Sequence, residues 1–112
     1  MQYLLLIYEN EKRFEHGYDP KEMADYQAFG KEFASKIQGG KALKPTSDAT
    51  TVKVRDGKRL TTDGPFAETK EQLGGFYLVE AKDLDQAIHM AGKIPAARFG
   101  QVEVRPIMTF NG

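Results

Sequence analysis

The sequence predicts an α+β domain in which two β-α-β units share one antiparallel sheet. Extended and helical segments follow one another in the order β-α-β, hairpin, β-α-β, which is the ferredoxin-like pattern. The opening segment, Tyr3–Tyr8, is apolar at every position, as is typical of a strand in the middle of a sheet. The length of 112 residues is room for a single domain, which we expect to span residues 1–112.

The spacing of apolar residues indicates that the chain begins with a strand followed by a helix. Tyr3–Tyr8 predicts the strand, and Asp19 is a typical helix N-cap with Pro20 at the first helical position and Glu22 completing a capping-box pattern. We expect the helix to end at Gly39-Gly40. Its apolar stripe, at steps of three and four residues, comprises Met23, Tyr26, Phe29, Phe33 and Ile37.

The middle of the chain is predicted to be a hairpin followed by a long loop. A short strand at about 41–44 precedes it. Thr50–Arg55 and Lys58–Thr62 are β-rich segments joined by Asp56-Gly57, which favours a type I′ turn because both residues tolerate positive φ. Asp63–Gly75 contains three glycines and a proline and is predicted to be a loop.

The second β-α-β unit completes the chain. Phe76–Ala81 is predicted to be a strand, and Asp83 caps a second helix that Pro95 ends. The apolar stripe of this helix comprises Leu84, Ala87, Ile88 and Ala91. Gln101–Ile107 is predicted to be the last strand.

The first strand is apolar on both of its faces, which predicts that a second copy of the chain covers the face without helices. Right-handed crossovers put both helices on one face of the sheet, yet Tyr3–Tyr8 is apolar on both faces. Two sheets packed face to face would form a homodimer with the architecture of a dimeric α+β barrel. The alternative is a monomer with an open apolar sheet, which would expose more apolar surface than monomers usually tolerate.

Composition limits the classes of function. Sixteen basic and sixteen acidic residues give no net charge with which to attract nucleic acid or an anionic membrane. Without cysteine, and with two histidines far apart, no metal site is expected, and neither glycine pair begins a phosphate loop, so no cofactor is expected. The early apolar run is too short to span a bilayer and lacks the flanks of a signal peptide, so we expect a cytoplasmic protein.

The turn Asp63-Gly64-Pro65-Phe66 supplies the candidate catalytic groups. Asp63 and Glu68 are two carboxylates in one constrained loop, and we interpret them as acid/base groups or polar anchors at the rim of a cleft. Phe66 is counted with the ligand-binding candidates. The alternative is that the loop only reverses the chain after the hairpin.

Three further residues are ligand-binding candidates. Arg105 lies on the polar face of the last strand, where it would meet a ligand or form an ion pair with Asp63 or Glu68. Lys70 would hold an anionic group, or else lies on a solvated turn. Tyr8 would offer its hydroxyl to a pocket, or else packs in the core.

Residues 63–77, DGPFAETKEQLGGFY, resemble the signature of the DGPF branch of the YCII-related proteins. The opening YLLLIY, the helix start DLDQA and the closing VEVRP resemble the same branch. The resemblance implies a dimeric ferredoxin-like α+β barrel. The superfamily of such barrels also contains small monooxygenases and isomerases that act without a metal or a bound coenzyme.

The function implied by the resemblance is the handling of a small molecule. A coenzyme-independent enzyme or a ligand sensor is expected, with a pocket between the first helix, the sheet and the predicted loop Asp63–Gly75. The alternative is a regulatory or interaction module, since some members are encoded beside, or fused to, extracytoplasmic-function sigma factors. The broader group has a suspected His–Asp dyad with histidine on the first helix, whereas this helix carries Met23, Asp25 and Tyr26 and no histidine.

Overall fold

The computed structural model describes residues 1–110 as a four-stranded antiparallel sheet, two helices and a separate two-stranded hairpin. Positions 111 and 112 of the predicted domain lie outside the described residues. In chain order the elements are β1 Gln2–Glu9, α1 Pro20–Glu32, β2 Ile37–Ala42, β3 Thr50–Arg55, β4 Lys58–Asp63, β5 Gln72–Glu80, α2 Leu84–Gly92 and β6 Gln101–Pro106. Short 3₁₀ turns lie at Glu11–Phe14, Thr46–Asp48 and Pro95–Arg98.

The main sheet has the strand order β2-β5-β1-β6, with every neighbouring pair antiparallel. This is the ferredoxin-like order predicted from the sequence. The prediction that the first strand is central is confirmed, since β1 pairs with β5 on one side and β6 on the other. No helix within residues 1–110 is long and apolar enough to cross a membrane.

The core lies between the sheet and the two helices. Alternate residues of a strand point to opposite faces, so Tyr3, Leu5 and Ile7 of β1 share the helix side and are buried. They pack in one cluster with Phe29 of α1 and Met90 of α2. The other face, which we call the open face, is half-buried and apolar at its centre; it carries Leu4, Leu6, Tyr8, Phe76 and Leu78.

Two helix predictions needed correction. The helix α1 ends at Glu32, and the predicted stop, Gly39-Gly40, lies inside β2 instead. The N–H of Ile37 donates to the carbonyl of Phe33, which closes the helix before pairing with β5 begins. The second helix buries Ala87, Met90 and Ala91, whereas Leu84 and Ile88 of the predicted stripe are exposed.

The hairpin β3–β4 has the predicted turn. Asp56 and Gly57 have φ of 53° and 74°, as a type I′ turn requires. The Cα radius of gyration is 16.2 Å, above the roughly 13 Å typical of a compact domain of this length. Val52, Val54 and Leu60 are exposed on the two hairpin strands. The molecule is a slab 18 Å thick from which the hairpin β3–β4 projects as an arm.

Candidate functional site

A pocket of about 900 Å³ lies on the helix side of the sheet. The first half of α1, the 3₁₀ turn Glu11–Phe14, and the neighbouring parts of β1, β2 and β5 surround it. This volume is within the range of small-molecule sites. We refer to it as the helix-side pocket.

Small residues of the sheet leave room for this pocket. Ala42 of β2 pairs with Gly75 of β5, which pairs in turn with Ile7 of β1. In the next row Gly40 pairs with Tyr77, and a Cβ at Gly40 would lie 2.8 Å from the carbonyl oxygen of Phe76 and 2.9 Å from the Tyr77 ring. Glycine at position 40 therefore lets the Tyr77 ring lie across the strand as a wall of the pocket.

Glu9 extends the buried face of β1 into the pocket. Tyr3, Leu5 and Ile7 face the core, and the next position on the same side is Glu9, which is 5% exposed and lines the pocket. A carboxylate there is costly unless it is paired. The strand thus fixes the position of Glu9 with the same two-residue period that builds the core.

Arg13 supplies the cation that pairs with Glu9. Its Nη1 donates to Oε1 of Glu9, and its Nη2 donates to Oε2 of Glu22 at 2.8 Å. Its guanidinium carbon is 3.8 Å from the centroid of the Phe99 ring, a cation–π contact. Glu22, in the first turn of α1, is 7% exposed and also lines the pocket. These residues form the Glu9–Arg13–Glu22 cluster.

Each carboxylate of the cluster has one oxygen that Arg13 does not use. Among the hydrogen bonds of residues 1–110, none ends at Oε2 of Glu9 or at Oε1 of Glu22. In the same residues no fully buried side-chain oxygen or nitrogen lacks a partner, so both oxygens keep some accessible surface. Both side chains line the pocket, which places acceptor oxygens at its wall.

The surroundings shift proton affinities in the pocket. Burial raises the pKa of Glu9 above its usual value; Glu22 and Glu71 add to the rise, and Arg13 opposes it. Burial and the nearby charges of Glu9 and Glu22 raise the pKa of Tyr26 strongly, so this phenol keeps its proton. A carboxyl with raised pKa beside a protonated phenol is suited to acid/base chemistry.

Hydrogen bonds of Glu11, which lines the pocket, join three segments of the chain. The carboxylate of Glu11 accepts from the N–H of Thr46 at 2.7 Å and from its Oγ1 at 2.9 Å. The N–H of Glu11 donates to Oε1 of Gln72 at 3.0 Å. These bonds connect the segments that follow β1 and β2 to the start of β5.

The sequence-predicted loop residues lie elsewhere. Asp63, Glu68, Lys70 and Phe66 are exposed, and Phe66 is 90% exposed. We call residues 63–71 the DGPF loop; the Gly64 N–H donates to the Ala49 carbonyl at 2.6 Å, which holds the loop to the base of the hairpin. None of these four side chains lines the helix-side pocket. Their catalytic and binding roles stay predictions.

The other predicted residues lie on the open side of the sheet. Arg105 is 66% exposed and pairs with Glu103 of its own strand at 2.8 Å. No ion pair within residues 1–110 joins Arg105 to Asp63 or Glu68, so the structure does not bring the three into one cluster within this chain. Tyr8 is half-buried on the open face rather than in the helix-side pocket.

Sequence reasoning missed Glu9, Arg13 and Glu22. Glu9 lies just beyond the predicted strand Tyr3–Tyr8, and Glu22 was predicted to complete a capping box with Asp19. In the structure Asp19 accepts from the N–H of Lys21, and Glu22 binds Arg13. A signal was present: Glu9 continues the alternation Tyr3, Leu5, Ile7. Among residues 1–110 no three His, Cys, Asp or Glu side chains are placed to hold a metal ion.

The fold and the site define a small ferredoxin-like α+β protein with a pocket between its sheet and its first helix. The chain belongs to the YCII-related domain family, whose model matches residues 1–111. It is 36% identical over 118 aligned residues to an uncharacterised protein of Rhizobium meliloti (strain 1021), covering 99% of this chain and 95% of that protein. The predicted resemblance is confirmed at the level of this family, and the DGPF branch stays a prediction.

A solved structure has a similar fold. The 5-chloro-2-hydroxyhydroquinone dehydrochlorinase TftG from Burkholderia phenoliruptrix AC1100, in complex with 2,5-dihydroxybenzoquinone, matches with a TM-score of 0.58 and 17% identity. The match covers 96% of this chain and 94% of that chain. At this identity the likeness concerns the fold. None of the comparisons supports the sigma-factor association.

Proposed function

We propose that this protein is a coenzyme-independent enzyme that binds a small organic molecule in the helix-side pocket and moves a proton with Glu9. The observation that carries the proposal is that the buried Glu9–Arg13–Glu22 cluster opens into a pocket of about 900 Å³. The fold likeness to a dehydrochlorinase is consistent with small-molecule chemistry on this scaffold. A ligand sensor would use the same pocket without turnover.

The roles in the pocket follow from the contacts. Oε2 of Glu9 accepts a proton from the bound molecule or returns it, since its other oxygen is held by Arg13. Arg13 fixes the carboxylate and stabilises its charged form. Tyr26 stays protonated and donates a hydrogen bond, because burial and two nearby carboxylates raise its pKa.

The test fills the pocket at an exposed alanine. Ala42 lines the pocket, so Ala42→Leu is expected to block binding with little effect on folding. Ala24→Leu, on the exposed side of α1, is the matched control. In a screen of small organic molecules by melting temperature and ligand NMR, hits should bind the native protein and the control and not Ala42→Leu. Hits that bind all three equally would contradict the proposal.

If the protein is an enzyme, Glu9→Gln separates turnover from binding. The amide keeps the size of the side chain but cannot take a proton. We expect a loss of about 10²- to 10⁴-fold in turnover of any substrate found, with affinity changed much less. A ligand that binds with no turnover in the native protein favours the sensor.

We also propose that two copies pack through their open faces as a dimeric α+β barrel. The apolar centre of that face and the slab thickness of 18 Å support this, because a second sheet would cover Leu4, Leu6 and Leu78. Arg105 and the projecting arm would then lie close to the partner, where the predicted site with Asp63 and Glu68 would have to form.

Light scattering of eluting protein tests the dimer. The native chain should give about twice its 12.6 kDa, and Leu6→Lys, at the centre of the open face, should move the mass toward 12.6 kDa. Ile88→Lys is the control, since Ile88 is exposed on α2. A native mass of one chain at micromolar concentration would refute the dimer.

A further inference from the structure

We infer that the helix-side pocket selects a small molecule with a protonated amine, which the carboxylates of Glu9 and Glu22 bind, and that it rejects carboxylates of the same size. The inference rests on the proposed function, because it names the class of molecule that the same pocket takes. It depends on geometry, on charge balance and on the character of the pocket walls.

The geometry provides two carboxylate acceptors at the cluster, beside the hydroxyl of Tyr26. Glu9 and Glu22 are more than nine-tenths buried and line the pocket, and each has one oxygen that accepts no hydrogen bond from residues 1–110 and keeps some accessible surface. Arg13 is not among the lining residues of the pocket, and it donates to Glu9 through Nη1 and to Glu22 through Nη2. Ionised carboxylates only accept hydrogen bonds, so the ligand must donate.

The charge balance favours a cationic donor. Two carboxylates and one guanidinium leave the cluster with one uncompensated negative charge when all are ionised. An ammonium group supplies three donors and the missing positive charge, whereas a carboxylate would meet two like charges in a poorly solvated place.

Aromatic walls add to the attraction. The pocket is lined by the rings of Phe14, Tyr18, Tyr26 and Tyr77. Aromatic faces attract cations electrostatically, and aromatic cages bind amines in this way. The guanidinium of Arg13 already lies 5.0 Å from the Phe14 ring centroid, which shows that a cation is accommodated beside this ring.

The lysines of the pocket do not reverse this balance. Lys12, Lys41 and Lys44 line it, but all three are exposed, whereas Glu9 and Glu22 are buried. Solvent and salt screen exposed charges more strongly than buried ones. The inner carboxylates therefore decide which charged group can reach the end of the pocket.

The experiment compares three probes of similar size, benzylamine, benzyl alcohol and benzoate, by calorimetry at pH 7.5. Benzylamine should bind at least tenfold more tightly than benzyl alcohol, and benzoate should bind most weakly. Ala42→Leu should abolish the binding, and Ala24→Leu should not. The variant Glu22→Gln, checked for folding by circular dichroism, should lower the affinity for benzylamine at least tenfold. Its affinity for benzyl alcohol should stay within about twofold of that of the native protein.

Lowering the pH provides an independent measurement on the unmodified protein. The charged groups with the largest influence on Glu9 are Arg13, Glu22 and Glu71, with Tyr26 and Tyr77 uncharged nearby. The other charged residues that line the pocket are Glu11, Lys12, Glu15, Asp19, Lys41 and Lys44. Burial raises the pKa of Glu9, so acidification to pH 4.5 protonates this carboxyl and removes its attraction for a cation. Benzylamine should then bind at least tenfold more weakly than at pH 7.5. Benzyl alcohol should change little.

The outcomes separate this inference from the proposed function. Equal or tighter binding of benzoate or benzyl alcohol, still blocked by Ala42→Leu, would overturn the amine inference and leave the pocket as a binding site. Binding of none of the probes, or binding that Ala42→Leu does not change, would overturn both.

Discussion

Within residues 1–110 two arginines pair with glutamates, in very different surroundings. Arg13 is 23% exposed and lies between two buried carboxylates, whereas Arg105 is 66% exposed and pairs with Glu103 on the surface of β6. The sequence draws attention to Arg105, because it alternates with valines on a strand. Because its carboxylate partners are buried, Arg13 should contribute more to stability than Arg105. A solvent-exposed ion pair contributes little to the free energy of unfolding, whereas breaking a buried ion pair costs much.

The largest expected effect is that of Arg13→Ala. It leaves Glu9 and Glu22 buried with no cation, so we expect a loss of about 2–4 kcal/mol in the free energy of unfolding. Arg105→Ala is the control and should cost less than about 1 kcal/mol. Urea denaturation at pH 7.5 measures both. Equal losses would mean that burial does not distinguish the two sites.

The loss caused by Arg13→Ala should depend on pH. Burial already raises the pKa of Glu9 in the folded protein above its usual 4.5, and removing Arg13 removes the main opposing influence. The folded state then holds a proton more tightly than the unfolded state, so stability falls as pH rises from about 4.5 through the raised pKa. The penalty should be largest near pH 7.5 and shrink toward pH 4.5. A penalty that grows on acidification would contradict this.

Neighbouring glycines of β2 provide the next comparison. A Cβ at Gly40 would press on the Phe76 carbonyl and the Tyr77 ring, whereas a Cβ at Gly39 meets nothing within 4 Å. We expect Gly40→Ala to cost about 1–3 kcal/mol and Gly39→Ala to be within about 0.5 kcal/mol of the native protein. Gly40→Ala should also weaken pocket ligands, because Tyr77 must move. Melting temperature and ligand titration measure the two effects.

A smaller effect is expected at the tip of the arm. Gly57 has φ of 74°, which a β-branched side chain adopts only with strain, so Gly57→Val should cost about 1–2 kcal/mol. Lys53→Val, on the exposed strand β3, is the control and should be neutral or slightly stabilising. An unchanged melting temperature in Gly57→Val would show that the arm unfolds separately from the main sheet.

The smallest effects on stability are expected in the DGPF loop. Asp63 and Glu68 are exposed, so Asp63→Asn and Glu68→Gln should each change the free energy of unfolding by less than about 0.5 kcal/mol. If the loop is catalytic, as its sequence predicts, the same variants should lose turnover at unchanged stability. A large loss of stability would instead indicate that these carboxylates make stabilising contacts in the proposed dimer.

The sheet could be predicted because its signals are local. The order of elements, the apolar Tyr3–Tyr8 and the Asp56-Gly57 turn each indicate one piece of the fold. The end of α1 was misjudged because Ile37 continues a helical spacing. Pairing with β5 outweighs that spacing and brings Gly39 and Gly40 into the sheet.

The site was harder to predict because it depends on contacts between distant segments. Glu9, Arg13 and Glu22 belong to a strand, a 3₁₀ turn and a helix, and none stands in a conspicuous motif. The DGPF segment is conspicuous through its glycines and its proline, which define a turn and do not reveal whether its carboxylates are buried or exposed. Following the two-residue period of β1 one step further would have identified Glu9 as a buried charge.

The strand order also has a consequence for folding during synthesis. The strand β1 is synthesised before its partners β5 and β6, which follow only at residues 72–80 and 101–106. At typical rates of synthesis this apolar strand waits on the order of 3–20 seconds for its neighbours. During that time Leu4, Leu5 and Leu6 are available to other chains, and the central sheet cannot close before the last strand has emerged. This topology therefore exposes the nascent chain to aggregation through β1 until its partner strands have emerged.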